Sequence, residues 1–144
     1  MKKTIGLFLV LFAVLRVHGA EVGEDRLKLF THTRRSNITY EWWLGASLAA
    51  AIPKWQPEIR DEPPLSLKKA IAIARKEGQK GEELESVEIL SIRGLQFVPA
   101  FNSFFYYKLT FRSLMLFDRR VCIVLMDGKV LAPLEVGKES VRMR

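Results

Sequence analysis

The sequence predicts an α+β domain: one amphipathic helix packed on an antiparallel sheet of about four strands, preceded by an irregular Pro-rich segment. Three observations carry this. Leu67, Ala70, Ile71 and Ala74 recur at three- and four-residue steps, which makes one apolar stripe on a helix. Phe105, Tyr107, Leu109 and Phe111 alternate with Tyr106, Lys108, Thr110 and Arg112, the pattern of a half-buried strand. Asp127-Gly128 follows an apolar run and marks a hairpin, because glycine accepts the positive φ of a tight turn.

The chain opens with Lys2 and Lys3, an apolar run from Ile5 to Leu15 and small residues at Gly19 and Ala20. That order is a secretory signal peptide with cleavage near Ala20. The run is too short for a spanning helix, which needs about 20 apolar residues. The expected destination is the periplasm or the exterior. Residues 1–20 hold three of the 23 basic residues and none of the 16 acidic ones, so the remainder carries a net charge of +4. Its basic residues are scattered in pairs, not gathered as nucleic-acid binding requires. Cys122 is the only cysteine, so no internal disulfide forms and packing must hold the fold.

Residues 21–37 are charged and aperiodic, an expected loose lead-in with one strand around Arg26–Thr31. Tyr40 to Ile52 fits either a helix side or a strand opening, since short apolar runs do not choose between them. Pro53, Pro57, Pro63 and Pro64 fall close together. Proline lacks an amide donor, so this stretch is read as a linker lying over the domain, pinned by Trp55. Residues 21–64 therefore form an extension and residues 65–136 the domain. Within the domain, Ser66 caps the helix and Gly78 ends it. Gln79 to Glu85 reads as a solvated acidic loop. Ser86–Arg93 is a strand whose parity shifts between Ile89 and Leu90, a bulge or a strand buried on both faces. Val121–Met126 is a central strand, and Lys129–Leu134 a last strand ended by Pro133. Residues 137–144 read as a frayed basic tail.

No catalytic, cofactor-binding or metal-ligating set stands out, and the chain is expected not to be an enzyme. His32 is the one histidine after the signal segment. Cys122 sits in an apolar strand, which disfavours a thiolate. Glu82, Glu83 and Glu85 are expected in solvent, where carboxyls keep ordinary pKa values. The candidate partner surface is instead apolar: Trp42 and Trp43, and the run Leu114, Met115, Leu116 and Phe117. Four consecutive apolar residues between two strands must be buried or used.

Pro64-Leu65-Ser66-Leu67-Lys68-Lys69-Ala70-Ile71-Ala72-Ile73-Ala74 resembles the opening helix of PepSY domains. Ser86–Arg93, Phe105–Phe111 and the Val121–Leu131 hairpin resemble the strands that follow it in that family. The resemblance covers about residues 64–132. Two departures stand out: the inserted Leu114–Phe117 segment and the short Asp-Gly turn. The resemblance implies a PepSY or cystatin-like fold and a non-catalytic extracytoplasmic module that binds another protein, regulating or inhibiting a peptidase. The alternative is a structural envelope protein packing against a partner through its apolar segments, with a membrane the less favoured occupant.

Overall fold

The computed structural model describes residues 22–23, 26–92, 104–113, 115 and 118–138. The signal segment, the 93–103 connection, the end of the tail, and Leu114, Leu116 and Phe117 lie outside the described residues. The described chain is mostly β. It forms two four-stranded antiparallel sheets, not one helix on a single sheet. The first sheet holds β1 (Val22–Gly23), β2 (Arg26–Thr33), β3 (Ile38–Gly45) and β8 (Leu134–Lys138), in that order across the sheet. The second holds β4 (Glu82–Ile92), β5 (Phe104–Ser113), β6 (Arg119–Leu125) and β7 (Val130–Leu131). Two short helices, α1 (Ala46–Ala51) and α2 (Leu67–Lys76), lie between the sheets in sequence.

The α+β expectation fails because the expected lead-in is itself a sheet. A register shift between Lys28 and Phe30 breaks the alternation of β2. Leu27 faces Leu44, yet beyond the shift Phe30 faces Trp42 and His32 faces Tyr40. A bulge thus moves the inward set from odd to even positions, which hides the strand from a period-2 reading. Asn37, at φ 58°, turns the chain from β2 to β3, a conformation asparagine tolerates better than most residues. β8 then pairs with β3 from almost a hundred positions away, with Leu134 opposite Glu41. The expected single strand over Lys129–Leu134 is therefore two. β7 ends at Leu131, and the chain crosses at Ala132 and Pro133 to the other sheet.

β5 is not half-buried but covered on both faces. Tyr106 and Thr110 are buried along with Tyr107, Leu109 and Phe111. One face lies under α2, where fully buried Ala70 and Ala74 let the helix approach closely. On the other face the Lys108 ammonium sits 4.5 Å above the Phe30 ring of β2. The Pro-rich stretch is pinned as expected of Trp55: its indole N–H donates to the Arg60 carbonyl at 2.8 Å and its ring meets Phe105 edge-on at 4.9 Å. The Tyr107 hydroxyl donates to the Leu65 carbonyl at 2.6 Å. Burial pushes that phenol up to about 12, so it keeps the proton it donates.

Ser66 caps α2, its hydroxyl accepting from the Lys69 amide at 3.4 Å. Gly78 is not a left-handed stop. Helix α2 closes through Glu77 in right-handed geometry, and positive φ waits until Gly81. A side chain at Gly78 would displace the ends of the Arg120 and Glu82 side chains. Glu82, Glu83 and Glu85 lie on strand β4 rather than in a loop. The bulge of β4 falls between Leu84 and Ser86, not at Ile89 and Leu90. The apolar run at its end reflects burial of Leu90, Ser91 and Ile92 together.

Candidate functional site

Where the first sheet meets the free side of β6 and the C-terminal end of α2, a cavity of about 560 Å³ opens. This size suits a small ligand or a few residues of a peptide. Its first wall is the inner face of the first sheet, which presents Tyr40 and Trp42 from β3 with His32 and Arg34 from the β2 end. The opposite wall is α2, through Ile73 and Glu77. The floor is Arg120, Val121 and Cys122 of β6, and the rim is Ala132 and Pro133.

The floor owes its exposure to the shortness of β7. The β6–β7 ladder holds only Ile123 opposite Leu131 and Val124 opposite Val130. Arg119 to Cys122 therefore has no strand neighbour on that side among the described residues. The Arg119 carbonyl is covered by His32, whose Nε2 lies 3.3 Å away.

Trp42 is the deepest polar group in the wall. It is 2% exposed, packed on the Phe30 ring at 5.7 Å, and its indole N–H has no acceptor among the described residues. A buried donor without a partner costs the folded state its lost hydration, so native proteins leave few of them. The charges around it are held unequally. Arg120 is fixed: it binds Glu82 through Nε at 2.9 and 3.0 Å and through Nη2 at 2.8 Å, and donates to the Ala74 carbonyl at 3.3 Å. Arg34 is looser, with Nε 3.9 Å from Asp118 and its guanidinium stacked 5.0 Å from the Tyr40 ring. Burial pushes the Cys122 thiol up, with Arg120 pulling weakly the other way. The thiol is a wall atom and stays protonated at neutral pH.

Of the expected partner surface, the two tryptophans do not share a face. Trp42 and Trp43 are neighbours on a strand and so point to opposite faces. Trp42 is buried in the cavity wall. Trp43 lies half-buried on the outer face, where its N–H donates to Glu41 at 2.9 Å and Arg26 and Lys28 sit 5.2 and 5.1 Å from its ring. Met115 is 87% exposed, while Leu114, Leu116 and Phe117 are outside the described residues. Glu85 pairs with Arg119 at 2.6 and 2.8 Å, which holds its carboxyl below the usual range. Sequence reasoning missed His32, Arg34, Tyr40 and Pro133 as cavity residues. The one signal for them was Pro133, a strand stop close to the end of the chain.

No family model, curated protein or solved structure matches this chain.

Proposed function

We propose that the protein is a non-catalytic, extracytoplasmic binding module whose recognition site is the cavity between the sheets. The observation that carries this is the cavity itself, whose wall presents Arg34, Tyr40 and Trp42 above a stretch of β6 that has no strand neighbour on that side among the described residues. The resemblance of residues 64–132 to PepSY domains supports a secreted peptidase as the partner, restrained by binding. The signal-like first twenty residues support the compartment.

The test fills the cavity from its rim. Ala132 is exposed and lines the opening, so Ala132→Trp blocks entry without touching the core. Tagged wild type, expressed in its own envelope, is expected to co-purify with one peptidase and to slow its hydrolysis of casein when the two are reconstituted. Ala132→Trp is expected to fold normally and lose both effects. Equal capture and equal inhibition by the two proteins would remove the cavity from the function. A second reading keeps one observation of its own, the exposure of Met115. Loss of the partner in Met115→Glu, with retention in Ala132→Trp, would favour packing through that segment.

A further inference from the structure

We infer that the cavity receives an extended peptide segment of a partner protein, which adds as a strand to the open edge of β6. The inference rests on the cavity being the recognition site and names what enters it.

The backbone of β6 sets the argument. The Leu125 amide donates to the Lys129 carbonyl at 2.9 Å on the β7 side. In an antiparallel strand every second residue turns both its amide and its carbonyl to the same side. Ile123, Val121 and Arg119 therefore also present theirs toward β7. Ile123 is opposite Leu131. Continuing that register places Pro133 opposite Val121. Proline has no N–H to give the Val121 carbonyl. The Val121 amide finds no backbone acceptor beyond β7 among the described residues. The chain that would have filled the place leaves for the other sheet, where Leu134 pairs with Glu41. Thus one donor and one acceptor, spaced as a ladder expects, lie at the floor of the cavity.

An added strand supplies what both features lack. Its backbone takes up the Val121 amide and carbonyl, the arrangement of peptide recognition by strand addition. Its side chains alternate between the two faces of the second sheet. Those on one face meet Arg34, Tyr40 and Trp42 of the first sheet. Those on the other meet Ile73 of α2, with Glu77 one turn further along the same wall. Arg34 is the loosely compensated cation of the first wall, so acidic side chains suit that face. Apolar side chains suit the Ile73 face. The favoured segment therefore alternates acidic and apolar residues.

Capped pentapeptides titrated into ¹⁵N-labelled protein test this. The probe alternates glutamate and valine, and a control alternates lysine and valine. We expect saturable shifts of the Val121 amide and the Trp42 indole resonances, slower exchange of the Val121 amide, and weaker binding of the lysine peptide. N-methylation of the glutamate-peptide backbone is expected to weaken binding about tenfold or more at one parity of position and to be tolerated at the other. Decanoate is the competing probe. If decanoate moves the Trp42 indole and the peptides do not, the site takes a small amphiphile, strand addition fails, and the binding-module reading stands. If neither moves it, both fail. Peptide binding indifferent to N-methylation parity would also overturn strand addition.

Discussion

Two buried indoles on opposite sides of the second sheet are treated differently. Trp55, under the Pro-rich stretch, is 6% exposed and donates to the Arg60 carbonyl at 2.8 Å. Trp42, between the sheets, is 2% exposed and donates to nothing among the described residues. Around Trp55, Tyr107 also donates, to Leu65 at 2.6 Å. Around Trp42, the β6 ladder stops at Ile123. One side of the sheet is completed by its own chain, and on the other the Trp42 indole and the Val121 edge have no partner among the described residues. The difference separates structure from recognition: a finished region stabilises the fold, and an unfinished one is held open by the stability of the rest.

That contrast is most directly broken by Trp55→Ala. Removing the ring uncovers Phe105 and frees the linker from the sheet. Large aromatic truncations in cores cost about 3–5 kcal/mol, and the loss should appear in full as a lowered urea midpoint. A change below about 1 kcal/mol would mean that the Pro-rich stretch contributes little and the supposed finished side is loose.

Tyr107→Phe probes the same side with less disturbance. The ring remains, and only the hydroxyl that serves the Leu65 carbonyl is lost. A buried acceptor left alone costs about 1–3 kcal/mol. Urea unfolding of the variant checks this, and a neutral result would show that water replaces the hydroxyl.

The outer faces are expected to respond to acid. Lys28 hydrogen-bonds Glu41 and holds its carboxyl below the ordinary value, with Trp43 helping, and Arg119 does the same for Glu85. A folded-state pKa below the unfolded one contributes stability above the unfolded value, near 4.3, and that contribution is lost as pH falls through the folded value. Partly exposed pairs of this kind contribute little. Wild type should therefore lose somewhat more stability between about pH 7 and about pH 3 than Glu41→Gln combined with Glu85→Gln. Parallel slopes would show that neither pair distinguishes the folded state.

What the sequence disclosed was local. Ser66 and the Leu67–Ala74 stripe announced α2, and Asp127-Gly128 announced its hairpin, where Gly128 takes φ 88°. Each rests on residues within one or two turns of one another. The first sheet was hidden for a local reason and a distant one. The shift between Lys28 and Phe30 erased the alternation of β2, and β8 lies far from β3 in sequence. With that sheet unseen, nothing could say which of Trp42 and Trp43 turned inward. Pro133 was legible as the end of a strand. That it also leaves Val121 open depends on where the chain goes next, and only the pairing of Leu134 with Glu41 decides that.

The smallest expected effect sharpens the comparison most. Trp→Phe keeps an aromatic body and removes the indole N–H. At Trp55 this ends a formed hydrogen bond, and a loss of about 1 kcal/mol is expected. At Trp42 it removes a donor that has no partner, so the lost bond costs nothing and the relieved desolvation offsets the smaller ring. Trp42→Phe should leave the urea midpoint within about 0.5 kcal/mol of wild type, or raise it. If Trp42→Phe instead destabilises as much as Trp55→Phe, an internal water already serves the indole. The two sides of the sheet would then be equally finished around their indoles.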